Sequence, residues 1–295
     1  MGTTQNQTTG LGGLVIVDKP AGMTSHDVVS RVRREFGTRK VGHAGTLDPM
    51  ATGVLVLGIE RGTKFLAHLV AATKQYEATI RLGAATTTDD REGDIISTAD
   101  TSAVTAEHIA QGVASLTGTI MQVPSSVSAI KIDGKRAYQR VRDGEEFIIP
   151  AREVHVSRFD IQEIRPEPLE LDVVVDCSTG TYIRSLGRDL GDFLGVGGHL
   201  TALRRTEVGP FTLADASPLD SLTLSLTLDQ ALTRCYPTLA VTAEESAALA
   251  MGKWLEPRGL KGTHAAVDPE GKAVALVREK GKRLSTVFVA HPSTL

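Results

Sequence analysis

The sequence predicts an α+β fold, on three observations. Strand-like runs stand next to one another in groups instead of alternating one for one with helices. Two of these runs alternate cleanly: Lys74–Leu82 puts Tyr76, Ala78, Ile80 and Leu82 on one face, and Leu169–Cys177 does the same with Leu169, Leu171, Val173, Val175 and Cys177. From about Tyr236 the character changes. Short apolar runs at Ala265–Val267, Val274–Val277 and Thr286–Val289 are separated by Asp268-Pro269-Glu270-Gly271 and Lys280-Gly281, which are hairpin signals.

In chain order, Leu14–Val17 reads as a strand that ends in the turn cluster Asp18-Lys19-Pro20-Ala21-Gly22. Ser25 is placed to cap a helix whose Val28, Val29, Val32 and Phe36 form one stripe, and Gly37 stops it. Gly42–Gly53 reads as a structured loop and Val54–Ile59 as a buried strand. The acidic stretch Thr86–Thr101 is expected to be a surface loop. Ala106–Leu116 reads as a helix, Gly118–Val123 as a strand, and the polar, basic Pro124–Pro150 as an excursion from the core. Val154–Ile164 is a strand, Thr181–Leu194 a helix, and Leu219–Leu232 a helix or linker. The expected organisation is a disordered tail over 1–12, a main body over 13–235 with an insertion at about 124–150, and a small β-rich domain over 236–295.

With 41% apolar and 23% charged residues and a net charge of −3, the composition is that of a globular protein with its own core. Cys177 and Cys235 form no Cys-x-x-Cys pair and no His/Cys cluster surrounds them, so neither a disulfide framework nor a metal site is expected. No apolar run approaches the roughly 20 residues that span a bilayer, and the polar start of the chain lacks the regions of a signal peptide. A cytoplasmic protein is expected. The charge is unevenly spread. Arg31, Arg33, Arg34, Arg39 and Lys40 stand against Glu35 alone, and basic residues predominate again after Trp254. Such faces can bind phosphates while the rest of the surface cancels the charge.

The most distinctive segment is Gly45-Thr46-Leu47-Asp48-Pro49-Met50-Ala51-Thr52-Gly53-Val54-Leu55. Gly45 and Gly53 bracket a lone carboxylate, and Pro49 biases Asp48 away from helical backbone. Asp-Pro alone is an ordinary turn signal. The full string resembles the catalytic loop of the TruB family of tRNA pseudouridine synthases. Further strings resemble the same family in the same order. They are Asp18-Lys19-Pro20-Ala21-Gly22-Met23-Thr24-Ser25-His26-Asp27, Lys40-Val41-Gly42-His43, Thr63-Lys64, Lys74-x-Tyr76-x-Ala78, Ser128-Ala129-Ile130-Lys131, Arg136-Ala137-Tyr138, Arg142-x-Gly144, Gly180-Thr181-Tyr182-Ile183-Arg184 and Leu203-Arg204-Arg205-Thr206. The resemblance covers about residues 12 to 213. Ser125 and Val127 depart from it, standing where the family often has Pro and Tyr.

The resemblance implies a pseudouridine synthase fold: a mixed, mainly antiparallel central sheet flanked by helices and loops, followed by a PUA-like RNA-binding domain. It implies that the T-loop uridine of tRNA, conventionally numbered 55, is isomerised without cofactor or metal. Asp48 is then the essential carboxylate, Arg184 its ion-pair partner, and Tyr76, Tyr182 and Leu203 walls of the uracil pocket. His43 fills the space left by the flipped base, and Lys19 and Lys64 support the site. Lys131, Arg136, Arg142 and Arg205 grip RNA. The implied partner is the T-arm stem-loop of tRNA, bound by a stand-alone monomer with no membrane and no protein partner.

The residue types suit this chemistry. An aspartate ionises at about pH 3.9 in water, and a nearby guanidinium opposes the upward pull of burial. Addition to C6, attack on C1′ and removal of the C2′ proton to give a glycal all remain open to Asp48. A Walker reading of Gly58–Lys64 fails on spacing. A glycosidase would need two cooperating carboxylates. The alternative from another class is an RNA-binding or tRNA-folding protein that acts without catalysis.

Overall fold

A computed structural model describes residues 12–69, 72–126, 131–132, 135–136, 139, 143 and 148–293, and only the backbone at 131, 132, 135 and 136. The elements in chain order are β1 (Gly12–Lys19), α1 (Ser25–Glu35), β2 (Val41–Ala44), β3 (Thr52–Glu60), α2 (Gly62–Phe65), β4 (Lys74–Leu82), β5 (Ala84–Thr86), β6 (Ile95–Thr98), α3 (Ala106–Ser115), β7 (Gly118–Gln122), β8 (Lys131–Ile132), β9 (Lys135–Arg136), β10 (Arg152–Pro166), β11 (Leu169–Cys177), α4 (Ile183–Phe193), β12 (Gly198–Val208), β13 (Phe211–Thr212), β14 (Leu226–Thr227), α5 (Leu228–Cys235), β15 (Thr238–Ala240), α6 (Ala243–Ala250), β16 (Thr263–Val267), β17 (Ala273–Lys280) and β18 (Arg283–Val289). Of the expected tail over 1–12, only Gly12 is among the described residues, and it begins β1.

The chain forms two compact units. The first comprises Met1–Pro49, Gly53–Val70 and Val208–Leu295. Its centre is β1, paired antiparallel with β3 from Gly12↔Glu60 to Lys19↔Gly53 and with β14 on its other edge. Leu14, Val15, Ile16 and Val17 are all fully buried, as are Leu55, Val56, Leu57 and Ile59 opposite them. Continuous apolar runs are what a strand covered on both faces requires. Gly13, Gly58 and Gly62 let β1, β3 and α2 touch through backbone. A Cβ on Gly62 would stand 2.1 Å from the Gly13 carbonyl oxygen, and one on Gly58 2.4 Å from that of Gly62.

The C-terminal sheet of this unit runs β15-β16-β17-β18, with β15 parallel to β16 and the other pairs antiparallel. The hairpins expected from the sequence are there, and β15 and α6 are added to them. Val241, Leu249, Ala266, Ala275, Val277 and Leu284 form its small core. Phe288 packs against Phe65 at 5.6 Å between ring centroids, and the Tyr236 hydroxyl donates to the His68 carbonyl at 2.8 Å.

The second unit comprises Met50–Thr52 and Ala71–Glu207. β4 pairs with β11, β11 with β10, and β10 with β7, all antiparallel. Tyr76 lies opposite Val175, Ala78 opposite Val173 and Ile80 opposite Leu171, so the alternating faces of β4 and β11 coincide. Leu186 and Leu190 of α4 are fully buried. Gly191 lets α4 meet the start of β12, since a Cβ there would fall 2.1 Å from the Gly198 nitrogen.

The stretch Thr86–Thr101 differs from the surface loop expected of it. β5 and β6 form a hairpin, and Asp89 and Asp90 are buried, 8% and 3% exposed. The physical reason is pairing with two arginines of α4 that lie about a hundred residues away in the chain. Arg188 meets Asp89 at 3.1 Å and Arg184 meets Asp90 at 3.6 Å.

Candidate active site

Asp48 lies in the first unit, on the chain that follows β2. β2 runs antiparallel to β3, with His43 opposite Leu57 and Ala44 opposite Val56. His43 therefore stands on a strand, half-buried, and the loop proper is shorter than the sequence indicated. Gly45 turns the chain out of β2 with φ 78°, and Gly53 brings it into β3 with φ 104°, values that L side chains rarely adopt. Between them Leu47 is buried and Asp48 half-buried.

Both neighbours of Asp48 are held by the backbone. The Leu47 amide donates to Ser25 Oγ at 2.9 Å, and Ser25 Oγ donates to the Leu47 carbonyl at 3.1 Å. On the other side, the Pro49 carbonyl accepts from the Gly22 amide at 2.8 Å and from Lys19 Nζ at 3.3 Å. Lys19 is fully buried, and its ammonium also donates to the carbonyls of Met23 at 2.6 Å and Pro20 at 2.9 Å. One buried cation thus ties the Pro20–Met23 turn to the residue after Asp48. Ser25 is not the helix cap. Thr24 caps α1, in a reciprocal box with Asp27, which leaves the Ser25 hydroxyl for Leu47.

In the second unit Tyr76 is 7% exposed on β4, and Leu203, also 7% exposed, lies on β12. Tyr182 precedes α4 and gives it no side-chain cap. Gln122, fully buried at the end of β7, grips the Tyr182 backbone instead. The Tyr182 amide donates to Gln122 Oε1 at 2.8 Å, and Gln122 Nε2 donates to the Tyr182 carbonyl at 3.1 Å. Arg152 lies over the Tyr182 ring at 5.1 Å and donates to the Gly180 carbonyl at 2.6 Å.

Arg184 is 3% exposed. Its Nη1 donates to the Thr88 carbonyl at 2.9 Å and to Ser125 Oγ at 3.3 Å, beside Asp90. Asp90 is itself fixed: its Oδ1 accepts from Thr88 Oγ1 at 2.6 Å and from the Glu92 amide at 2.9 Å. Ser125, the departure noted in the sequence, is thus a buried partner of the arginine.

Arg205 requires a correction. It is 1% exposed, so it stands away from the surface where phosphates would be gripped. It lies instead among Lys74 and Cys177, where burial and Arg205 together depress the Lys74 ammonium and burial pushes the Cys177 thiol up to about 11. Lys64 is exposed on α2. Lys131 and Arg136 are backbone register partners in the short β8–β9 pair, and Arg142 lies outside the described residues. Among the described residues no group of three or more His, Cys, Asp or Glu is placed to hold a metal ion.

Residues 33–183 match the model of the TruB family pseudouridylate synthase N-terminal domain. The chain belongs to the TruB family. Residues 184–236 match the tRNA pseudouridylate synthase B C-terminal domain, and 236–291 the tRNA pseudouridine synthase II C-terminal model. A TruB relative from Corynebacterium efficiens, called tRNA pseudouridine synthase B, is 72% identical over 289 residues, covering 96% of this chain and 97% of that one. One of the same name from Rhodococcus jostii is 57% identical, covering 96% and 95%. Among solved structures, a chain of a Cbf5-Nop10-Gar1 complex is similar with TM-score 0.72 and 26% identity, covering 96% of this chain and 86% of its own. Like its TruB relatives, the protein is a pseudouridine synthase, an isomerase.

The Asp48 loop and the arginine of α4 stand out in the sequence as local motifs. The Ser25 clamp on Leu47, the contacts of Gln122 and Arg152 with Tyr182, and the pairing of Asp90 with Arg184 are not marked in the sequence. Each of these acts on a residue far away in the chain, and no local pattern marks it.

Proposed function

We propose that the protein converts the T-loop uridine of transfer RNA, position 55, to pseudouridine, with Asp48 as the essential carboxylate. The observation that carries the reading is a half-buried aspartate between two backbone-pinned neighbours, in a TruB chain whose relatives are called tRNA pseudouridine synthase B. The reaction breaks the N1–C1′ bond and joins C1′ to C5. C5 then gives up its proton and N1 regains one, so composition and charge are unchanged. What the enzyme supplies is an ionised carboxylate of fixed position and a pocket that retains the detached uracil while it turns.

Fixing the backbone on both sides of Asp48 removes the search for a productive geometry, a large part of what positioning contributes to rate. We assign to Tyr76 the stacking of uracil, worth about 1–3 kcal/mol per base. Tyr182 and Leu203 are assigned to the same pocket, and Arg184 to the charge that keeps the carboxylate ionised. The target base is turned out of the loop at a cost of a few kcal/mol, and His43 fills its place. Exposed Lys and Arg side chains hold the T-arm phosphates, which makes affinity fall steeply as salt rises. The protein acts in the cytoplasm, as a monomer and without a protein partner.

Asp48→Asn tests this. The variant is expected to bind unmodified tRNA with near-normal affinity and to form no pseudouridine. Pseudouridine formation by that variant would overturn the role of Asp48. Pseudouridine still present at position 55 in tRNA from cells lacking the gene would overturn the choice of substrate.

A further inference from the structure

The chain has one tryptophan, Trp254, and it is 47% exposed. An indole so far out in water is uncommon, because tryptophan contributes more by burial than any other side chain. Nor is it a loose loop residue. The next residue, Leu255, exchanges both backbone hydrogen bonds with Leu284 of β18, at 2.9 and 2.8 Å. The Arg283 guanidinium lies over the indole at 4.7 Å from the ring centroid. One face of a rigidly mounted ring thus carries a cation, and nearly half of the residue's surface stays in solvent.

The surroundings are basic. Lys253, Lys280, Lys282 and Arg283 are exposed, and among the described residues none of them is in an ion pair. Nearby carboxylates are occupied within the fold. Glu279 accepts from the backbone amides of Leu260, Arg258 and Gly259, and Glu245 pairs with Arg258. Glu256, two positions after the tryptophan, is exposed. Met251, 54% exposed, widens the apolar surface.

We propose that Trp254 and Arg283 form a stacking platform for an unpaired nucleobase of the RNA substrate, with Lys253, Lys280 and Lys282 holding the flanking phosphates. A flat aromatic ring backed by a guanidinium and ringed by free cations is the arrangement with which proteins take single-stranded RNA without reading its sequence. The charge favours a polyanion, and the planar ring favours a base over a bare phosphate surface. The inference rests on the proposal that the protein acts on RNA and adds a second place of contact, on the C-terminal sheet.

The single tryptophan makes the test direct. The full chain is titrated with an unmodified tRNA transcript, a single-stranded oligonucleotide and a blunt RNA duplex, with indole fluorescence followed throughout. Quenching by the first two and not by the duplex is expected. Trp254→Ala is expected to bind tRNA about tenfold more weakly and Trp254→Phe to recover most of the loss, with unchanged thermal unfolding showing that both variants fold. Pseudouridine formation and tRNA binding with unaltered indole fluorescence and a normal Trp254→Ala affinity would overturn the platform and leave the proposed function standing. Quenching by anionic vesicles but by no RNA would overturn it in favour of a membrane surface. Absence of pseudouridine in every reaction would count against the function itself.

Discussion

Ser25 holds Leu47 by both of its backbone polar groups, accepting from the amide and donating to the carbonyl across 22 positions of the chain. The hydroxyl lies on the first turn of α1 and Leu47 immediately precedes Asp48, so the helix sets the position of the carboxylate. Ser25→Ala leaves two buried backbone groups unpaired, at a cost of about 1–3 kcal/mol for each group left unsatisfied. Helix α1 should survive, since Thr24 caps it. We expect kcat for pseudouridine formation to fall about 100-fold, the scale of a misplacement of about 1 Å, while tRNA affinity changes little. A variant with normal kcat and a lowered melting temperature would show that the clamp serves stability alone.

Lys19 acts on the other side of Asp48. Its ammonium is fully buried and donates to three carbonyl oxygens, from Pro20, Met23 and Pro49. Lys19→Met keeps the length of the side chain and removes every donor. The expected result is a loss of stability of about 3 kcal/mol or more, since several buried acceptors lose their partner together, measured as a lower urea midpoint with an unchanged slope. Equal midpoints would mean that the turn relaxes and solvates those carbonyls at no cost.

Gln122 does for Tyr182 what Ser25 does for Leu47, with one side-chain amide bonded to both the amide and the carbonyl of its target. Gln122→Leu preserves the volume and loses both bonds. Tyr182 and the Arg184 turn of α4 should then be less well placed for the nucleoside. A rise in KM for tRNA is expected together with a lower melting temperature, and Gln122→Glu, which keeps only the acceptor, should fall between the two. Wild-type KM in Gln122→Leu would separate the clamp from substrate binding.

The sequence made the fold class and the loop of Asp48 legible, because both are local. Alternation marked β4 and β11, and the string around Asp48 was long enough to stand out. What it concealed is set by distance along the chain. Asp89 and Asp90 look like part of a solvated acidic run until Arg188 and Arg184 reach them. The resemblance implied that Arg205 grips RNA, which would need it at the surface. Yet alternation on β12 turns it inward, while Arg204 donates to Thr52 Oγ1 at 3.1 Å. Ser25 was misread by one position, since Thr24 and Ser25 are both good caps and only the geometry assigns the cap to Thr24.

The two thiols supply a pH test of the buried structure. Burial is the first cause in both cases, pushing Cys177 up to about 11 and Cys235 up to about 12. In the unfolded chain a thiol ionises at about 8.5. Between that value and about 11 the native state keeps protons that the unfolded state has lost, so unfolding becomes easier as pH rises through this window. The contribution is fully present below the unfolded value. Lys74, depressed by burial next to Cys177, gives a slope of the opposite sign in part of the same range, so the wild-type curve alone is a sum. The difference between wild type and a Cys177→Ala, Cys235→Ala double variant cancels the groups that do not interact with the thiols and leaves the thiols together with the coupling of Cys177 to Lys74. Urea midpoints of the two proteins, measured from pH 8 to pH 11, should converge as pH rises, with wild type losing stability faster. The same shift keeps the thiolate fraction low near neutrality, so alkylation of the native protein should be slow and should become fast on unfolding. Parallel midpoint curves with rapid native alkylation would mean that neither thiol is held in its neutral form by the fold.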